Sequence, residues 1–324
     1  MEVASDFRSW DELMPDTLGI IFSNLSLQER LTVIPRVCKS WAKAVTGPYC
    51  WQEIDIEEWS RRCEPDHLDR MVEMLITRSS GALRKLSVSG LQTEKIFTFI
   101  AENAASLQNL RLPRSNMNDH IVELVTRRLC MISFLDVSYC LEIDAHALDI
   151  IGKNCKLLEG LCRNMHPVDT AGNPLEDDEA FAIASTMPKL KHLEMVYHVI
   201  SNDGVLQILS NCPKLELLDL RGSWGVKLDN VFVKQNYPKL KVLGPLVLDY
   251  YYYERDDWED CSDISDSSEY LGWEFVAGGD MDEYYDDEGE SYDGVWDDEG
   301  RLEELEFRFY ESIEDAGMHW PASP

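Results

Sequence analysis

Three residues come nearest to a metal-binding set in this chain: Cys155, Cys162 and His166. Zinc takes thiolate and imidazole ligands, and its structural sites usually bring them as short pairs such as C-x-x-C. None of the nine cysteines (38, 50, 63, 130, 140, 155, 162, 212, 261) stands in such a pair, so neither a metal nor any other cofactor is predicted. Cys130, Cys155 and Cys212 recur at one phase and read instead as small buried hydrophobes of a reducing compartment. The phosphate cradle G-x-x-x-x-G-K-[ST], the nucleophile elbow G-x-S-x-G and the zinc-protease pair H-E-x-x-H are missing. Carboxylates are plentiful, but they crowd between 249 and 324, where solvated acids repel one another without becoming an acid and a base. No acidic run has the glycine and oxygen ligands of an EF-hand. The chain reads as non-catalytic.

What the sequence does repeat is an apolar phrase with residues one, four and usually six hydrophobic. Its seven copies begin at Leu83, Leu107, Ile132, Leu158, Leu190, Leu215 and Leu240, at spacings of 24, 25, 26, 32, 25 and 25 residues. A period of roughly 20–29 residues headed by this phrase marks stacked leucine-rich repeats. Helical segments follow the strands, with Ile96, Phe99 and Ile100, then Leu124 and Val125, then Val205, Ile208 and Leu209 as their apolar faces. The fold class is α/β: a strand-plus-helix solenoid of horseshoe form. The longer fourth interval holds HPVDTAGNPLEDDE (166–179), a surface loop by its Pro, Gly and acid content.

Strand alternation sends positions one, four and six into the core and positions three and five to the concave side. The concave positions are Lys85 and Ser87, Asn109 and Arg111, Phe134 and Asp136, Gly160 and Cys162, His192 and Glu194, Leu217 and Asp219. Concave solenoid surfaces bind proteins. Aromatic residues and Arg dominate interface energies, so Arg111, Phe134, Asp136, His192, Arg221 and Trp224 are the substrate-binding candidates.

Ahead of the repeats, residues 10–51 pattern as three helical pieces. Leu18, Ile21, Phe22 and Leu25 make a one-sided stripe, and Ser26 with Glu29 forms an S-x-x-E capping box. Leu27, Leu31 and Ile34 follow, with Pro35 as separator. Val37, Trp41 and Val45 then precede Gly47-Pro48, and Trp51 sits in an extended stretch. Some forty residues cannot bury that much apolar surface alone, so the repeats or a partner must complete the unit. A connecting helix over 65–78, capped by Asp66, is predicted to hold it against the first repeat.

The run from Trp10 through Leu13, Pro15, Leu18, Ile21-Phe22, Leu25, Leu31, Val37-Cys38-Lys39, Trp41 and Trp51 resembles an F-box. The spacing of Val-Cys-Lys-Ser-Trp and the downstream Trp carries the likeness. Met14 departs from it, standing where the family usually has proline, with Pro15 one place late. The order of modules resembles the F-box/leucine-rich-repeat family of plants over about residues 10–248. That resemblance implies an F-box at 8–55, a connecting helix at 56–80, repeats at 81–248 and a tail at 249–324. It implies the substrate-recognition subunit of a Skp1–cullin–F-box ubiquitin ligase. Leu13, Pro15, Leu18, Ile21, Phe22, Leu25, Leu31, Val37, Cys38, Trp41 and Trp51 would then dock a Skp1-like adaptor, and through it a cullin. The alternative is a repeat scaffold whose acidic tail binds basic proteins.

Net charge is −30, and residues 249–324 hold 27 of the 60 acids against three of the 30 bases. Such a chain repels phosphate backbones and anionic membranes, so neither nucleic acid nor membrane is an expected partner. The opening MEVASDFRSWDE has no apolar run of the signal-peptide kind, and the expected location is nucleus or cytoplasm. Most of 249–300 is expected to lack persistent structure, with YLGWEFVA (270–277) or RLEELEFRFYE (301–311) covering the last repeat.

Overall fold

The computed structural model describes residue 10 and residues 13–167 and 174–245. Eight three-residue strands form one parallel sheet in strict sequence order. They are β1 (Glu53–Asp55), β2 (Lys85–Ser87), β3 (Asn109–Arg111), β4 (Phe134–Asp136), β5 (Gly160–Cys162), β6 (His192–Glu194), β7 (Leu217–Asp219) and β8 (Lys241–Leu243). Parallel neighbours must be joined by crossovers. Helices supply them: α4 (Glu57–Ser60) and α5 (Pro65–Ser79), then α6 (Glu94–Asn103), α7 (Asp119–Arg128), α8 (Ala145–Asn154), α9 (Asp178–Thr186), α10 (Asn202–Asn211) and α11 (Asn230–Asn236).

Register makes the core. The central residues Ile54, Leu86, Leu110, Leu135, Leu161, Leu193, Leu218 and Val242 are paired rung by rung. All but the terminal Val242 are buried. Each fully buried aliphatic side chain contributes about 1.5–3 kcal/mol over leaving it in water, so every dry rung adds that much to solenoid stability. The helices add Ile121, Val122 and Val125, and Val205, Ile208 and Leu209. In α6 the buried aromatic is Phe97 rather than the expected Phe99, because Phe97 shares a face with Ile96, Ile100 and Ala101. Helix starts are fixed by side-chain caps: Thr93, Asn118, Asp144, Ser201 and Asp229 each accept from a first-turn amide.

The two ends of the array differ from the sequence expectation. It begins one strand early: β1 lies inside the 8–55 segment, and Trp51 closes a 3-10 turn, Pro48–Trp51, instead of being extended. At the other end the last copy is one residue short. Val242 takes the rung opposite Leu218, so Leu240 falls at position two of its phrase instead of position one.

Local chemistry explains the other differences. Pro35 does not end its helix. The chain runs as a π-turn over Glu29–Val33, continues as α2 (Ile34–Val37), and breaks at the extended Cys38 (φ −160°). A wide turn accommodates a proline that has no N–H and crowds the carbonyls before it. Helix α5 starts on Pro65 at its first position with Glu64 as an unbonded cap, so Asp66 lies in the first turn and does not cap it. It stops where Ser80 and Gly81 turn left-handed. Cys130 is exposed in a turn, unlike the buried Cys155 and Cys212. The 166–179 loop gives its last two residues to α9. Leu246 and both tail segments expected to cover the last repeat lie outside the described residues.

Candidate interaction surfaces

The N-terminal unit sorts its apolar residues into two groups. Leu18 and Phe22 on α1 (Pro15–Phe22) are buried with Leu31, Ile34, Val45 and Trp51. The capping box forms as expected: the Ser26 amide and hydroxyl both donate to Glu29 Oε2, at 2.9 Å each, and the Glu29 amide donates to Ser26 Oγ at 3.2 Å. Trp41, on α3 (Lys39–Val45), is half-buried with its ring 4.9 Å from Phe22, and Leu25 and Cys38 are half-buried too. Trp51 donates from Nε1 to the Val45 carbonyl at 2.7 Å. Its ring carries two guanidinium groups, Arg30 and Arg78, each 5.2 Å from the centroid. Arg78 belongs to α5, so this sandwich ties the N-terminal unit to the first crossover.

Leu18, Phe22, Leu31 and Trp51 are therefore internal, a correction to their reading as docking residues: a partner could touch them only by opening the unit. Leu13, Pro15, Ile21 and Val37 stay exposed. Met14 joins them, as do two apolar residues the sequence reading missed, Ile20 at 55% and Val33 at 52%. Val33 and Val37 are four apart on one helical stretch and so share a face. Their signal was in the stripe itself, since apolar residues off the buried face of a helix must look outward.

On the solenoid, Lys85, Asn109, Arg111, Phe134, His192, Glu194 and Leu217 are half-buried. The Phe134 ring stands over Gly160, where a Cβ would overlap ring carbons, and meets the His192 ring edge-on at 5.9 Å. Arg111 lies over the other side of Phe134, 5.8 Å from its centroid. The guanidinium also sits 3.5 Å from Asp136 Oδ2. Asp136 itself is only 3% exposed, so it is corrected from a contact residue to one that holds Arg111. Ser87, Gly160, Cys162 and Asp219 are likewise buried beneath their neighbours. Arg221 repeats the pattern: it clasps Asp219, with Nη2 2.8 Å from Oδ2. Trp224 is exposed beyond it.

Past β2, β3, β4, β6 and β7 the backbone turns left-handed at position eight of the phrase. Gly90 (φ 79°), Arg114 (57°), Tyr139 (61°), Tyr197 (57°) and Gly222 (73°) occupy it. Arg114 stacks on Tyr139 at 4.9 Å, and the Tyr197 ring fills the space a Cβ on Gly222 would need. The glycines adopt this conformation freely, whereas side-chain-bearing residues are strained in it.

Electrostatics at the centre of the concave face are dominated by Glu194. Burial would raise its carboxyl, but hydrogen bonds from His192 (Nε2 to Oε1, 2.6 Å) and Asn164 (Nδ2 to Oε2, 3.0 Å) hold it at about 2. Burial pushes the neighbouring Cys162 thiol up, and Asp136 and Glu194 push it further. One position breaks the aliphatic pattern of the core. Arg163 takes the sixth place that Val88, Leu112, Val137, Met195 and Leu220 fill elsewhere, and it is 1% exposed. It donates to the carbonyls of Ile143 (2.6 Å) and Cys140 (3.2 Å), and to both Glu179 oxygens at 3.1 Å. Beyond Glu179 the buried His198 sits with Nε2 3.3 Å from Oε2, and burial pushes its imidazole down to about 4.

The F-box domain family matches residues 10–53. F-box protein FBW2 of Arabidopsis thaliana is 55% identical over 328 residues, which span 100% of both chains. This chain belongs to the F-box protein family. A second relative of this F-box protein, putative F-box/LRR-repeat protein 23 of Arabidopsis thaliana, is 32% identical over 73% of this chain and 53% of its own. Among solved structures, the yeast Rad7–Elc1 complex matches at a TM-score of 0.44 and 18% identity, over 54% of this chain and 44% of that one. The expected plant-type F-box followed by leucine-rich repeats is met in family by the two Arabidopsis relatives and in fold by the parallel strand-and-helix array. Among the described residues of this F-box protein, no helix is long and apolar enough to cross a membrane.

Proposed function

We propose that this F-box protein is the substrate-recognition subunit of a Skp1–cullin–F-box ubiquitin ligase, acting in the nucleus or cytoplasm and making no bonds itself. The observation that carries this reading is the division of the F-box unit into a closed core and a set of outward aliphatics. Ile20, Ile21, Val33 and Val37 stand exposed although Leu18, Phe22 and Leu31 beside them are sealed. Aliphatics left in water on a unit that already has a core mark a surface that another protein covers. A Skp1-like adaptor is the partner the family implies. The solenoid then offers Arg111, Phe134, His192 and Arg221 to a protein target, and the ligase gains proximity and orientation of target lysines.

Binding of purified full-length chain to a Skp1-like adaptor tests the reading. Ile21→Asp with Val37→Asp should abolish the complex, each anchor being worth about 2–4 kcal/mol. Thermal unfolding of the repeats should stay unchanged. Adaptor binding that survives the double substitution refutes the proposed docking surface.

A further inference from the structure

We infer that Cys162, His192 and Glu194 form a divalent-metal site of the zinc class on the floor of the concave face. The inference goes beyond the ligase reading and stands whether or not an adaptor binds. The three residues lie on adjacent strands, β5 and β6, in register: Gly160 pairs with His192 and Cys162 with Glu194. One sulfur, one imidazole nitrogen and one carboxylate oxygen come within 4.8 Å of one another. A soft thiolate, an imidazole and a carboxylate together are the donor set of a borderline cation such as zinc.

Two features go beyond a chance cluster. The Glu194 carboxylate is oriented from behind by Asn164, whose Nδ2 donates to Oε2 at 3.0 Å while its Oδ1 accepts from the Val196 amide at 3.0 Å. Such an outer partner fixes a ligand and leaves the other oxygen, Oε1, to face His192 Nε2. Gly160 supplies the second feature. Having no side chain, it leaves its space to the Phe134 ring, which meets the His192 ring edge-on at 5.9 Å.

Charge agrees with the donor types. The carboxylate residues Asp136 and Glu194 stand on the strands either side of Cys162, in register with it, and Arg111 is the cation beside them, 3.5 Å from Asp136 Oδ2. A dication is favoured there, and it would displace the thiol proton to solvent while the imidazole proton that bonds Glu194 from Nε2 moves to Nδ1. His192 and Glu194 keep 34% and 27% of their side chains exposed, so the side away from Cys162 opens to the concave face. That open position would take water or a donor atom from a bound protein.

The test is titration of chelator-treated full-length chain with Co2+ and then Zn2+. One equivalent of Co2+ should give a thiolate-to-cobalt charge-transfer band that Zn2+ bleaches, with about one proton released per metal. Cys162→Ser should abolish the band. Glu194→Gln, which keeps the side-chain volume and an oxygen for Asn164, should weaken Zn2+ binding at least tenfold, and Asn164→Ala by roughly 10–100-fold. A band that persists in Cys162→Ser would place the metal on another of the cysteines and overturn the inference. So would band-free binding indifferent to all these variants, which is the adventitious uptake expected of an acidic chain.

Discussion

Phe134 and Gly160 interlock on neighbouring strands: the ring occupies the volume that any side chain at 160 would need. The glycine is therefore what lets an aromatic ring reach across to the next strand, with Arg111 over it at 5.8 Å and His192 against its edge at 5.9 Å. Gly160→Ala should evict the ring and lower target affinity about tenfold or more, as loss of a central aromatic anchor does. Adaptor binding should be untouched. Quantitative co-precipitation of both partners from the same preparation checks this, and equal target recovery would show that Phe134 is no anchor.

The ion pair of buried Arg163 and half-buried Glu179 should be costly to split. Removing Glu179 strands the guanidinium in the interior, at about 3–5 kcal/mol. Glu179→Ala should destabilise by that order, and the Arg163→Ala, Glu179→Ala double variant should cost far less than the sum of the single losses. Urea unfolding of the four proteins gives the cycle. Additive losses would show that the two charges do not depend on each other.

His198 predicts an acid-side loss of stability. Its imidazole stays neutral down to about pH 4 when folded, against an ordinary value of 6.5. Between those values the unfolded chain binds a proton that the folded chain refuses, so stability falls as pH drops from 6.5 toward 4. The loss is on the order of 3 kcal/mol at most. His198→Asn should flatten the wild-type slope in that window in urea titrations. Glu194 acts lower, its contribution being lost only as pH falls from 4.5 toward 2.

Much of this molecule could be read in its letters, for physical reasons. Positions one, four and six of the phrase are apolar because each rung must be dry, and the same alternation put Phe134 and His192 on the concave side. Arg163 was hidden because its partner Glu179 lies across a long interval that no local period spans. The split of the F-box stripe was hidden as well, since periodicity shows that Leu18 and Ile21 are apolar but not which one the neighbouring helix covers. The metal triad was present among the concave positions, yet it becomes visible only when two strands 32 residues apart are laid in register. The last repeat misled by a single residue, because Leu240 completes the apolar phrase while Val242 takes the rung.

The left-handed turns at position eight give the horseshoe an uneven mechanical character. Its first and last such turns, at Gly90 and Gly222, are relaxed, whereas Arg114, Tyr139 and Tyr197 between them are held in a conformation their side chains resist. About 1–2 kcal/mol is stored at each. Those strained turns are held in place by contacts such as the stacking of Arg114 on Tyr139. Anything that draws those rings away would release that strain where the array is tautest, and leave its two ends at rest.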